Sequence, residues 1–105
     1  MTTYRALPSA TKTASVTTSV VVTISDFGFD ANDLVAARRA VVSTATNNVM
    51  ATWSSTDPTS VLGHCITAVA ANRPATSLVI SGPSLVDLRF IGLDETAVVT
   101  ITLER

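Results

Sequence analysis

Apolar and polar positions alternate with a period of two through much of this chain, most regularly toward its C-terminal end. Within Ser84 to Arg105, Val86, Leu88 and Phe90 fall on one side while Asp87 and Arg89 fall on the other. Further on, Ala97, Val99, Ile101 and Leu103 share a side, and Val98, Thr100, Thr102 and Glu104 share its opposite. This is the period of a half-buried strand. The intervening Gly92-Leu93-Asp94-Glu95 carries a turn signal, which predicts a β-hairpin with Leu88 and Phe90 meeting Val99 and Ile101 in the core.

Earlier segments repeat the pattern with different punctuation. Ser15 to Ser25 is dense in β-branched residues and predicts the first strand, with Val20, Val22 and Ile24 facing the core. Asp26-Phe27-Gly28-Phe29-Asp30 then bends the chain. A loop or helical turn through about Ala36 is followed by a predicted strand from Ala37 to Thr44. Asn47-Asn48 reads as a turn, because asparagine tolerates left-handed backbone angles. The next strand puts Val49, Ala51 and Trp53 on one face and Met50 and Thr52 on the other. Ser54 to Thr59 is a polar loop, and Pro58 forbids continuing a central strand there. Strands are also expected after Gly63 and over Thr76 to Ser81, the latter with Leu78 and Ile80 on one face.

The expected class is therefore all-β, a small antiparallel β-sandwich or barrel of about six to seven strands. Met1 to Ala14 lacks periodicity and reads as an extended N-terminal arm, dispensable for folding, with Tyr4, Leu7 and Pro8 as its candidate contacts. Residues 15–105 then form a single β domain. A chain of 105 residues can bury roughly 60–70% of its unfolded surface in one core.

Composition changes the picture of the surface. Charged residues are 14% of the chain, against roughly 25% in ordinary soluble proteins, and hydroxyl and small apolar residues fill the difference. Charge depletion suits a face covered by neighbours in an assembly. The outer side of the C-terminal segment, Asp87, Arg89, Ile91, Val98, Thr100 and Thr102, is too apolar for plain solvent surface and is the candidate interface.

Candidate chemistry is sparse. The net charge is −1, with no basic field to attract nucleic acid or an anionic membrane. Neighbouring Arg38 and Arg39 point apart whether on a strand or a helix. No apolar run approaches the roughly 20 residues of a membrane-spanning helix. Cys65 is the only cysteine, which excludes an intrachain disulfide and a multi-cysteine zinc site and fits a protein made in a reducing cytoplasm. Adjacent His64 and Cys65 point to opposite sides of a strand and cannot act as base and nucleophile; His64 is expected to make a loop hydrogen bond. Asp26, Asp30 and Asp33 lack the ligand spacing of a calcium loop and read as turn residues. Four isolated glycines make no phosphate loop. Trp53 reads as a core filler. No cofactor, metal or catalytic residue is expected, and the chain reads as a non-enzyme.

One resemblance adds to this. Ala37-Arg38-Arg39-Ala40-Val41-Val42, Asn47-Asn48-Val49, Thr56-Asp57-Pro58-Thr59 followed by Gly63-His64, and Val86-Asp87-Leu88-Arg89-Phe90-Ile91 before an alternating last strand resemble a group of small tailed-phage virion proteins. The likeness covers roughly the last two thirds of the chain, and the glycine usual beside the Thr-x-Pro loop is absent here. It implies a β-sandwich structural protein of the virion, made in the host cytoplasm. The decoration or cement type is favoured, binding the major capsid protein or another virion protein as a homo-oligomer. The alternative is a fibre or other adhesive module that recognises a carbohydrate or receptor, for which Trp53 and Tyr4 are a thin supply of aromatic side chains.

Overall fold

Backbone pairing in the computed structural model, which describes residues 8–68 and 75–105, joins strands from opposite ends of the chain. The strands are β1 (Pro8–Val16), β2 (Val22–Thr23), β3 (Arg39–Ala45), β4 (Val49–Thr52), β5 (His64–Ile66), β6 (Leu78–Ser81), β7 (Arg89–Gly92) and β8 (Ala97–Glu104). β1 pairs with β8, β2 with β7, β3 with β6 and β4 with β5, all antiparallel. The chain is thus one long hairpin whose tip is the β4–β5 connection. Additional pairings of β3 with β8 and of β4 with β7 roll that hairpin into two four-stranded sheets, ordered β1-β8-β3-β6 and β2-β7-β4-β5. This is the winding of a jelly roll. The expected antiparallel β-sandwich is therefore the fold, with eight strands among the described residues where six to seven were predicted.

The core lies between the sheets. Ala97, Val99, Ile101 and Leu103 of β8 are each fully buried, as are Ala40 and Val42 of β3, Val49 and Ala51 of β4, and Phe90 of β7. Phe27 closes one end of this core, edge-on to Phe90 and stacked against Phe29. Each of the buried Val, Ile, Leu and Phe side chains stabilises the fold by about 1.5–3 kcal/mol relative to exposure.

Three sequence expectations are corrected. First, β7 and β8 do not form a hairpin: they lie in different sheets, and Leu93–Thr96 carries the chain across the gap of about 10 Å between them. Gly92 makes the crossing possible. Its N–H donates to the carbonyl of Thr17 at 2.8 Å, and a Cβ there would sit 2.9 Å from the Glu95 carbonyl oxygen and 3.1 Å from the Thr17 backbone. Alternation cannot separate the two arrangements, because a hairpin and a sheet-to-sheet crossing both aim alternate side chains at one core. Val86, expected on a strand, lies instead in a 3-10 turn over Pro83–Asp87 and is exposed.

Second, the stretch read as an arm through Ala14 contains most of β1, which pairs along its length with β8. Ala10 and Ala14 pack against the core and Val16 is fully buried. The stretch escaped detection because its core contacts are made by alanines. Lys12 falls on the same side, opposite Ile101, yet stays exposed. A charge aimed inward on an edge strand discourages pairing with another chain's edge. Third, Ser15 to Ser25 is not one strand: it leaves the first sheet after Val16, forms the two-residue β2 and enters a 3-10 turn at Ile24–Phe27. Val20, expected inside, is 59% exposed in the crossing.

Other expectations stand closer to the structure. A short helix, α1 (Ala31–Ala36), precedes β3. The Asn47-Asn48 turn is present, although the left-handed residue is Thr46, at φ 73°. The asparagine side chains act as braces: the Asn47 amide donates to the Thr96 carbonyl, and the Asn48 side-chain oxygen accepts the N–H of Ala68.

Two measurements check this architecture. Ile101→Ala should cost about 2–5 kcal/mol, whereas Val20→Ala should stay within about 0.5 kcal/mol, as read by denaturant unfolding. Deleting residues 1–14, harmless for an arm, should instead lower the unfolding midpoint sharply, because it strips β8 of its β1 neighbour.

Candidate functional site

The outer side of the β1-β8-β3-β6 sheet is built from register pairs. Thr102 lies between Thr11 and Val41, with Val79 beyond; Thr100 lies between Thr13 and Ser43; Val98 lies between Ser15 and Ala45. None of these side chains is charged, and none is buried. The hydroxyls of Thr11 and Thr102 share a hydrogen bond at 3.0 Å, leaving two rows of threonine and serine interleaved with valine. At one end the face is bounded by an ion pair, in which Arg39 Nε donates to the Glu104 carboxylate. Side chains here project from paired strands on both sides of β8.

Of the expected interface residues, Val98, Thr100 and Thr102 lie at the centre of this face. Arg89 and Ile91 are on the outer side of the other sheet, and Asp87 is exposed at the end of its 3-10 turn. The expected patch is therefore split across the sandwich, a direct consequence of β7 and β8 belonging to different sheets. Pro8 opens β1 opposite Glu104. Tyr4 and Leu7 lie outside the described residues.

A second candidate surface occupies the tip of the rolled hairpin. β4 to β5 is the one connection between consecutive described strands that stays within a sheet, and its loop folds back on the sheet it leaves. Thr52 Oγ1 donates to the Thr56 carbonyl at 2.6 Å, and Arg89, opposite Thr52 in register, donates to the Asp57 carboxylate. Pro58, next to Asp57, is fully buried, and Met50 and Thr52 on this outer side of the sheet are buried as well. Thr59 Oγ1 accepts the N–H groups of Val61 and Leu62, and this tight turn leaves Val61 91% exposed at the tip.

Within this loop the register sets Ala51 opposite His64, and Trp53 therefore comes diagonally beside His64. Their rings stack at 4.4 Å with an interplanar angle of 22°. The expected loop hydrogen bond of His64 is replaced by this contact. Trp53 does pack against the core, but it is only half-buried and also walls an open cleft of 460 Å³ together with His64, Ser54, Thr56 and Leu62. Sequence reasoning missed this pairing because it depends on the β4–β5 register, which a loop of this length does not reveal.

No known protein family, curated protein or solved structure matches this chain.

The remaining candidates have local explanations. The Asp26 carboxylate accepts both the N–H and the hydroxyl of Thr23, holding the turn that follows β2. Asp30 sits at the start of α1, and Asp33 approaches Arg105 at 4.0 Å. Among the described residues no group of three or more His, Cys, Asp or Glu side chains is gathered to hold a metal ion. Cys65 is exposed and opposite Met50, on the other side of β5 from His64.

Asp57→Ala should loosen the loop rather than the fold. Global stability should change by no more than about 1 kcal/mol, since the pair is partly solvated, while limited proteolysis between Ser54 and Gly63 should accelerate.

Proposed function

We propose that this chain is a non-enzymatic structural subunit of a phage particle, of the decoration type, that assembles with its own copies and with the capsid lattice through the outer face of the β1-β8-β3-β6 sheet. The observation that carries the reading is the uncharged run of Thr11, Thr13, Ser15, Val41, Ser43, Ala45, Val79, Val98, Thr100 and Thr102 across that sheet. A solvent-facing sheet side ordinarily carries charges, and loss of charge marks the centre of protein interfaces. The resemblance of the chain from Ala37 onward to small tailed-phage virion proteins supplies the particle. The winding is in keeping with it, since viral capsid domains also use jelly rolls.

Magnitude sets the mode of assembly. A face of four strands, 9, 8, 7 and 4 residues long, covers roughly 400 Å² in projection, at the small end for a pairwise interface. A single contact is accordingly weak. Copies held together in a ring or on a lattice sum such contacts through high effective concentration.

Thr100→Arg places a long charged side chain at the centre of the face while leaving the core intact. Light scattering across a concentration series should show the wild-type mass rising with concentration and the variant remaining monomeric. Purified particles should carry the wild-type protein in a copy number that follows head symmetry. An unchanged mass series for the variant would contradict the interface, and a few copies confined to a tail would contradict the decoration role.

A further inference from the structure

We propose that the cleft at the hairpin tip binds a single neutral sugar ring, with Trp53 and His64 as its aromatic wall. This does not rest on the assembly reading, because the cleft and the uncharged face belong to different sheets.

The size and lining set the ligand class. A volume of 460 Å³ is within the range of about 300–1,000 Å³ typical of small-molecule sites. Neither Lys nor Arg lines the cleft, and neither Asp nor Glu does. A phosphate-bearing ligand would find no Lys or Arg to pair with, and a cationic ligand no carboxylate. What the cleft offers is the aromatic surface left open by the Trp53–His64 stack, edged by neutral donors and acceptors, and a pyranose presents the matching combination: an apolar face of C–H groups with hydroxyls around its rim.

The polar edge is available. Among the described residues no hydrogen bond engages the indole N–H of Trp53 or either ring nitrogen of His64. Ser54 Oγ accepts the N–H of Thr56 at 3.4 Å, which leaves its own O–H to donate. A neutral imidazole supplies one donor and one acceptor, and the indole supplies a donor. These groups can serve neighbouring sugar hydroxyls in either sense.

The cleft is also preformed, which lowers the ordering cost of binding. Trp53 is fixed from behind by the core, and His64 is fixed by β5 pairing to Ala51. The wall of the loop is held by the Thr52–Thr56 hydrogen bond and the Arg89–Asp57 pair.

Because Trp53 is the only tryptophan, intrinsic fluorescence reports directly from the cleft. Titration of the full chain with the methyl glycosides of glucose, galactose and mannose, and with N-acetylglucosamine, should give a saturable change for at least one of them. A dissociation constant on the order of 1 mM is expected. His64→Ala alters an exposed residue and keeps the reporter; with an unchanged circular dichroism spectrum it should weaken binding by about tenfold. Trp53→Phe, followed by saturation-transfer NMR on the sugar, should bind more weakly than wild type through loss of the indole N–H and of ring area. The proposal is overturned if none of the four sugars produces a saturable change, or if folded His64→Ala binds as wild type does.

Discussion

Strand β8 takes backbone hydrogen bonds from β1 on one side and β3 on the other, and each of its inward side chains is fully buried. Those pairings join the end of the chain to its beginning and to its middle, so nothing local can complete them. The cost of closing such long loops rises only slowly with their length, and a continuous apolar row of Ala97, Val99, Ile101 and Leu103 offsets it at a single seam. Without β8, β1 has no sheet to join, and β3 is left with only its short pairing to β6. The rest of the roll follows: β2 and β7 are brought together behind β1 and β8, and β4 and β5 form the closed tip.

The same constraint makes the two candidate surfaces. A central strand cannot expose charge cheaply on its inner side, but its outer side is free, and here that side continues the hydroxyl and valine composition across β1 and β3. The resulting face is uncharged from Thr11 on β1 to Val79 on β6. At the far end of the roll the chain reverses within one sheet, and the loop needed for that reversal is pinned by Arg89 and Asp57 and by buried Pro58. A reversal held this way can keep an aromatic pair half-open to solvent, as it does with Trp53 and His64.

Individual strands were legible where inward positions carry large aliphatic side chains, as Val49 does in β4 and Val99, Ile101 and Leu103 do in β8. Before Arg39 the sequence left a loop or a helical turn through about Ala36 open, and the structure has the helix α1 there. β1 was not legible, since Ala10 and Ala14 bury little and Lys12 interrupts their row. Neither was the partition of β7 and β8 between sheets, because alternation records which side of a strand is dry and not which strand lies alongside. That ambiguity explains why Val98, Thr100 and Thr102 were grouped with Arg89 and Ile91, from which the core separates them. The Trp53–His64 wall was illegible for a related reason: residues eleven apart meet only when Ala51 pairs with His64.

Amide hydrogen exchange followed by NMR tests the central role of β8 most directly. The account predicts that amides of β8 hydrogen-bonded to β1 and to β3 exchange only through global unfolding, with β1 amides bonded to β8 protected alongside them. Rapid exchange throughout β1, together with β7 and β8 opening as a pair ahead of β3, would contradict it.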